Sequence, residues 1–247
     1  MDIDAYLARI GYEGPRTPTL ETLRGMQRAH FFNVPFENLD ILAGVPIEVD
    51  EQVNFDKIVG RRRGGYCLEL NGTFSRVLRQ MGFRLDVLAA RVLTEGYLSP
   101  PFSHMSTLVH LDEPWLADVG FGGRLIAPLR LHESGVQAFG ERRYLVANDG
   151  DHWFLTTLEE GSPPMTYVFM LTPHQYSEFL PVNTWLQTSP DSRFTRGEVV
   201  SLATEHGRLT LAPGRLIVTD GDQRSEQPID SPEERATVLR QHFGIEL

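Results

Sequence analysis

Length, composition and charge limit the classes of protein that this chain can be. Its 247 residues, 41% hydrophobic and 23% charged, suit one large or two to three small globular domains and exclude wholesale disorder. The net charge of −10 disfavours a nucleic-acid partner, and no apolar run approaches the roughly 18 residues of a membrane span. One cysteine cannot form an intrachain disulfide, and the acidic start fits no signal or transit peptide. We therefore expect a cytoplasmic enzyme or binding protein with no membrane partner.

The first third of the chain has helical periodicity. Thr17 and Pro18 predict a helix start. The threonine hydroxyl can cap the free N–H groups of the first turn, and proline is tolerated at the first helical position because the backbone N–H that it lacks has no partner there. A second helix ends at Gly82 and places Cys67 in its first turn. Its apolar residues recur at helical spacing, namely Leu70, Phe74, Val77, Leu78 and Met81.

After Gly82 the pattern changes to short β-prone segments separated by turns. They are Leu85 to Val92, Thr107 to Leu111, Trp115 to Val119, Tyr144 to Ala147 and Trp153 to Thr157. Successive strands without intervening helices predict an antiparallel sheet or barrel. A third region begins near Ser189, with a hairpin over 208–219 and a helix opened by Ser231. The order of helices, strands and a small α+β piece predicts boundaries near 85 and 187.

Cys67 is the candidate nucleophile. The free N–H groups and positive dipole end of a helix start favour a thiolate there. Gly64 and Gly65, just before it, permit a tight turn and the close approach of another molecule. The alternative is an inert core residue, because free cysteine is among the most buried residue types.

A nucleophilic cysteine needs a base, and the base needs an orienting acceptor. If a hairpin turns around Glu113, Leu108 faces Asp118, and His104, His110 and Asp118 share one face of the sheet. His110 is then diagonal to Asp118, whereas His104 is four residues along from the facing position, about 13 Å away. This register favours His110 unless a bulge or strong curvature brings His104 closer.

The glycine-rich turn after Asp118 is a candidate anion site. Consecutive N–H groups in such a turn can form a nest for a pyrophosphate. An ordinary turn at the end of a strand is the alternative interpretation.

Together these residues resemble the arylamine N-acetyltransferase family. The matching segments are VPFENLD at 34–40, RRRGGYCLELNGTF at 61–74, HM at 104–105 and DVGFGG at 118–123, with weaker agreement in TSPDSRF at 188–194 and RQHFGIEL at the end. The resemblance implies a Cys67–His104–Asp118 triad, and so favours His104 over His110. It implies an α+β multidomain fold around a core like that of cysteine proteases. Its parts would be an N-terminal helical bundle (1–85), a central antiparallel β-barrel (86–187) and a small C-terminal α/β lid (188–247).

The resemblance also implies a reaction. Acetyl-CoA would be the donor, an arylamine or hydrazine the acceptor, and the acetyl group would pass through an acyl-cysteine intermediate without a metal. Phe36 and Phe121 match positions near the acceptor pocket, and Gly122 and Gly123 match the loop beside the coenzyme pyrophosphate. Arg63 and Glu37 are expected to pair and to hold the cysteine loop.

Three other functions remain open at this stage. Amide synthases of the same family close macrolactams from polyketide thioesters held on an acyl carrier protein. Transglutaminases and cysteine hydrolases also use Cys, His and Asp in this order, and activity on a peptide amide without coenzyme A would favour them. A binding domain with an inert cysteine would show slow, pH-independent alkylation of Cys67.

Overall fold

The computed structural model describes residues 1–94, 96–133, 135–158 and 164–247. The helices are α1 (Ile3–Ile10), α2 (Leu20–Asn33), α3 (Leu39–Leu42), α4 (Glu51–Phe55), α5 (Cys67–Gln80), α6 (Leu180–Thr188) and α7 (Pro232–Phe243), with a π-helical turn at Asp56–Gly60 and 3-10 turns at Tyr176–Phe179 and Arg193–Thr195. The strands are β1 (Phe36–Glu37), β2 (Arg84–Thr94), β3 (Tyr97–Leu98), β4 (His104–His110), β5 (Pro114–Ala117), β6 (Leu129–Arg130), β7 (Val136–Phe139), β8 (Arg142–Asp149), β9 (His152–Leu158), β10 (Met165–His174), β11 (Val200–Ala203), β12 (Gly207–Ala212), β13 (Arg215–Asp220) and β14 (Gln223–Pro228). None of the helices in these ranges combines the length and apolar composition needed to cross a membrane.

The two predicted N-terminal helices are present, and one of their starts needs correction. Helix α2 begins two residues later than predicted, because Thr19 rather than Thr17 accepts the free N–H of Thr22, at 3.3 Å. Helix α5 begins at Cys67 itself and is followed by Gly82 at φ +91°. The cysteine therefore stands at the end of the helix where backbone N–H groups are unpaired.

The predicted antiparallel barrel is confirmed as a nearly closed sheet in the order β6-β5-β4-β2-β10-β9-β8-β7, with β3 beside β2. Gln137 of β7 bonds through its side chain to the backbone N–H and carbonyl of Arg130 on β6, and so bridges the two edge strands. Alternation along β4 divides its side chains between two cores. Met105 and Val109 pack against the N-terminal helices, whereas Leu108 packs inside the barrel.

A second antiparallel sheet, β1-β11-β12-β13-β14, brings distant parts of the chain together. Phe36 of β1 pairs with Ser201 of β11 and also forms a parallel bridge to Gly65, two residues before the cysteine. Helix α6 adds Val182 and Leu186 to the core of the N-terminal helices. The segment before Cys67, the barrel and the C-terminal sheet thus meet around the start of α5, while the division near 85 and 187 stays a prediction.

Candidate active site

Cys67 lies buried at the first position of α5, with only 3% of its surface exposed. Its Sγ is 3.6 Å from the carbonyl oxygen of Ser103, the residue that precedes His104 on the barrel. The helix start is fixed from behind by Glu69, whose Oε2 accepts the N–H of Tyr66 at 3.0 Å. A buried cysteine is thereby held against the first residue of β4.

The register of the β4–β5 hairpin differs from the prediction and decides between the two histidines. His110 faces Pro114 and Leu108 faces Leu116, not Asp118, so the turn occupies residues 111–113. Pro114 has no N–H, and it occupies the last position of the β4–β5 hydrogen-bond ladder, where no donor is required. This slides the pairing by two residues, and the separation of His104 from the position beside Asp118 falls from four residues to two.

His104 therefore reaches Asp118 without a bulge between β4 and β5. Its Nε2 lies 2.7 Å from Asp118 Oδ2, and both residues are at most 2% exposed. His110, which the simpler register favoured, instead places its Nε2 2.7 Å from Asp86 Oδ2 on β2. The preference for His110 drawn from local geometry was wrong, because it placed the hairpin turn one residue too late.

The surroundings of His104 favour its protonated form. Burial alone would lower its pKa, but the Asp118 carboxylate, followed by hydrogen bonding and charge interaction with Cys67, raises the pKa to about 10. Because Nε2 is engaged by Asp118, Nδ1 is the ring nitrogen left for Cys67. An imidazolium next to the sulfur makes Cys67 a candidate nucleophile.

Asn71 orients Asp118, and sequence reasoning missed it. Its Nδ2 donates to Asp118 Oδ1 at 2.8 Å, and its Oδ1 accepts the N–H of Val119 at 2.9 Å. Gly120 donates its own N–H to Asp118 Oδ1 at 2.7 Å. The available signal was spacing, since Asn71 follows Cys67 by four residues and shares its face of α5.

Close packing of the chain on itself explains two glycines at the site. A Cβ on Gly64 would lie 2.0 Å from the carbonyl oxygen of Pro35, and one on Gly120 would lie 2.8 Å from Cys67 Cα. The approach to Gly64 that we ascribed to another molecule is thus made by this chain, at the bridge between β1 and the cysteine loop. Gly120 lets the loop after Asp118 rest on the start of α5.

Aromatic rings enclose the histidine on the barrel side. The Tyr167 and Phe121 ring centroids lie 4.8 and 5.3 Å from that of His104. Tyr167 is fully buried, and burial followed by the charge of Asp118 raises the pKa of its hydroxyl well above the ordinary value. The hydroxyl therefore stays neutral beside the carboxylate.

Glu37 and Arg63 contact each other within a larger charge network of five buried side chains, Glu37, Asp40, Lys57, Arg63 and Glu69. Arg63 Nη2 lies 2.8 Å from Glu37 Oε1 and 2.9 Å from Asp40 Oδ1. Lys57 Nζ lies 2.8 Å from both Asp40 Oδ2 and Glu69 Oε1. The network ties β1, the cysteine loop and α5 together.

A cleft of about 680 Å³ opens onto the cysteine. Its walls include Phe36, Cys67, His104, Phe121, Gly122 and Arg193. Gly123 adopts φ +67° beside these walls, and its carbonyl accepts from Arg208 Nη2 at 3.1 Å; Arg208 Nη1 bonds the Gly122 carbonyl. Arg208 of β12 thus places a cation against the carbonyls of the glycine turn. The sequence of the turn itself did not reveal this contact.

The arrangement brings a buried thiol, an imidazole and a carboxylate together beside an open cleft, which Cys67 and His104 line. Such a set can form a covalent intermediate with a carbonyl substrate and then release it to a second nucleophile. Among the residues that the structure describes, no group of three His, Cys, Asp or Glu side chains is placed to hold a metal ion.

Comparison with known proteins gives consistent matches over almost the whole chain. The N-acetyltransferase family model matches residues 19–247. An arylamine N-acetyltransferase of Escherichia coli K12 is 40% identical over 98% of this chain and 88% of its own. The solved arylamine N-acetyltransferase from Salmonella typhimurium superposes with a TM-score of 0.91 at 34% identity, covering 98% of this chain and 90% of that one. The Mycobacterium marinum enzyme in complex with CoA gives 0.91 at 32% identity, covering 99% and 93%.

Proposed function

The chain belongs to the arylamine N-acetyltransferase family, and on that premise we propose that it transfers an acetyl group from acetyl-CoA to an arylamine or hydrazine nitrogen. Cys67 is the nucleophile, His104 the general base and Asp118 the orienting carboxylate. The observation that carries this assignment is the junction of α5 with β4, where Cys67 interacts with a His104 that is bound to Asp118.

In the first half-reaction the Cys67 thiolate attacks the thioester carbonyl of acetyl-CoA. The new C–S bond to Cys67 forms as the C–S bond to the coenzyme breaks, and the departing coenzyme thiolate takes a proton from the His104 imidazolium. Unpaired N–H groups in the first turn of α5 are the candidate donors to the developing oxyanion.

In the second half-reaction the amine attacks the acetyl carbonyl on Cys67. His104, now neutral, accepts the proton that the nitrogen loses, and the Cys67 thiolate leaves as the amide forms. The imidazolium is regenerated, and Asp118, held by Asn71 and Gly120, keeps the ring oriented throughout. Donor and acceptor therefore use the cleft in succession, which is a ping-pong mechanism.

The walls of the cleft suggest where the two substrates lie. Phe36 and Phe121 flank Cys67 with apolar surface, and we assign them to the acceptor ring. Gly122 also lines the cleft, and we assign the turn of Gly122 and Gly123 to the coenzyme pyrophosphate. The similar M. marinum enzyme in complex with CoA supports a CoA thioester as donor.

We retain the three-part division at 85 and 187 as a proposal. Helices α1 to α5 precede the first boundary, which falls two residues into β2; the other barrel strands up to β10 lie between the two; the second boundary falls near the end of α6, and β11 to α7 follow it. The cytoplasmic location expected from the sequence stays a prediction.

Intact-protein mass spectrometry after mixing with acetyl-CoA tests the reaction. The chain has one cysteine and one lysine, and Lys57 is only 3% exposed, so few side chains compete for the acetyl group. We expect a single added acetyl group on the protein, absent in Cys67→Ala, that disappears when an arylamine is added.

Three other outcomes would contradict the proposal. Rapid loss of the acetyl group to water without an amine would indicate a hydrolase. Acylation only by a carrier-bound polyketide thioester would indicate an amide synthase. An acetyl group that remains in Cys67→Ala would show that Cys67 is not the nucleophile.

A further inference from the structure

Arg193 presents to the cleft a cation that does not hold any loop of the fold in place. It lies in the 3-10 turn after α6, is exposed, and lines the same cleft as Cys67. Among the described residues it has no hydrogen bond and no carboxylate at ion-pair distance. Its guanidinium carbon instead lies 5.5 Å from the ring centroid of Phe194. Phe194 is buried 5.4 Å from the Tyr66 ring and anchors the turn beside the cysteine.

Two other arginines of the cleft are occupied by backbone contacts. Arg196 donates to the carbonyls of Pro190 and Asp191, and Arg208 holds the carbonyls of the glycine turn. Those two side chains fix loops. Arg193 fixes none, so its charge is available to a ligand.

The electrostatic surroundings of Arg193 favour binding of an anion. Crowding by protein atoms, with the charge of Arg124 as a smaller contribution, lowers the pKa of Arg193, whereas the charge of Cys67 acts in the opposite direction. Arg193 lies over the Phe194 ring, and that ring is 5.4 Å from the ring of Tyr66, the residue before Cys67, so the guanidinium belongs to the part of the cleft near the cysteine. An anion bound there would relieve the repulsion between the two arginines.

We propose that Arg193 binds an anionic substituent of the acceptor, a carboxylate carried on the arylamine ring opposite to the reacting amine. This inference rests on the proposed function and deepens it. A planar guanidinium matches a carboxylate through two parallel hydrogen bonds. With the amine at the acetyl-Cys67 carbonyl, such a carboxylate would lie one aromatic ring away, within the cleft that Arg193 also lines. The coenzyme phosphates are separated from the thioester by the whole pantetheine arm and fit this position less well.

Single-turnover kinetics on acetyl-enzyme freed of CoA test this role. The acceptors are 4-aminobenzoate and aniline, which share the reacting amine and differ in the carboxylate. In Arg193→Gln the second-order rate constant for 4-aminobenzoate should fall by about tenfold or more, the loss expected for a charged hydrogen bond. Aniline should change by less than about twofold, and Arg193→Lys should recover part of the loss. Arg143→Gln, which removes an exposed arginine of β8 outside the cleft, is the matched control.

The donor half-reaction separates the two possible anions. If Arg193→Gln instead slows acetylation of Cys67 by acetyl-CoA and leaves both acceptors unchanged, the anion is a coenzyme phosphate and the assignment to the acceptor is wrong. Equal losses for 4-aminobenzoate and aniline would likewise overturn it. In the wild type, the preference for 4-aminobenzoate over aniline should weaken as NaCl is raised, because exposed charges are screened.

Calorimetric measurement of 4-aminobenzoate binding to the unacetylated protein tests the anion subsite independently of the proposed function. Arg193→Gln should weaken that binding by about tenfold and leave aniline unaffected. If the wild type takes no acetyl group but this difference in binding persists, the proposed function fails and the anion subsite stands. Equal binding of 4-aminobenzoate to both proteins would overturn the subsite.

Discussion

Replacing Lys57 by methionine tests how the cysteine loop is held. Lys57 is the chain's only lysine, and its Nζ contacts Asp40 and Glu69 at 2.8 Å and Glu37 at 3.8 Å. Methionine keeps the length of the side chain and removes its charge. The variant therefore leaves three buried carboxylates, of which Arg63 contacts only Glu37 and Asp40.

Removing one partner from a buried ion pair costs about 3–5 kcal/mol. For a chain of this size, 1 kcal/mol shifts the melting temperature by about 2–4 °C, so we expect Lys57→Met to melt roughly 6–20 °C lower. Acylation of Cys67 should also slow, because Glu69 holds the N–H of Tyr66 at the start of α5.

The loss should depend on pH in a defined direction. Burial raises the pKa of Glu69 from 4.5 to about 7, against the attraction of Lys57. Between these values the folded state holds a proton that the unfolded state releases, so this group's contribution to stability falls as pH rises. Lys57 lowers the pKa of Glu69, so without Lys57 the folded Glu69 carboxyl holds its proton up to a higher pH. The deficit of Lys57→Met should therefore be smaller at pH 5.5 than at pH 8.

Urea unfolding of both proteins at the two pH values measures the effect. Arg79→Met is the control, because Arg79 is 38% exposed and lies 3.8 Å from Glu51; such a pair contributes at most about 1 kcal/mol. A Lys57→Met protein within about 1 kcal/mol of the wild type at both pH values would refute the argument from burial.

Three further predictions concern the cleft. Alkylation of Cys67 by iodoacetamide at pH 6 should be far faster than that of a free thiol, whose pKa is about 8.5, because protonated His104 lies beside the sulfur; a rate that rises only above pH 8 contradicts this. His104→Gln should abolish acetylation of Cys67, while His110→Gln, whose ring bonds Asp86, should leave it largely intact; the reverse result would reject the triad. Gly123→Val, at φ +67°, should raise the KM for acetyl-CoA about tenfold or more, whereas acceptor turnover by pre-acetylated enzyme should change much less. If the variant loses only the acceptor step, the glycine turn belongs to the amine pocket and the coenzyme binds elsewhere.

Periodicity was sufficient to place Cys67 at the start of a helix. Apolar residues at helical spacing and Gly82 as a stop predicted the helix that begins at Cys67, because a helix must bury one stripe of side chains. The same reasoning failed at the β4–β5 hairpin. A shift of one residue in the turn slides the pairing by two, and the alternation of buried and exposed side chains is the same in both registers.

The sequence by itself determined the order of helices and strands, the position of Cys67 at a helix start and the family resemblance that pointed to His104 and Asp118. These depend on local periodicity, turn residues and short motifs, all of which are read along the chain. Only the tertiary structure decided that Asn71 orients Asp118, that Lys57 and Glu69 join Glu37 and Arg63, and that Arg193 lines the cleft. These contacts join segments far apart in sequence, so their distances and burial follow from how the helices, the barrel and the C-terminal sheet pack.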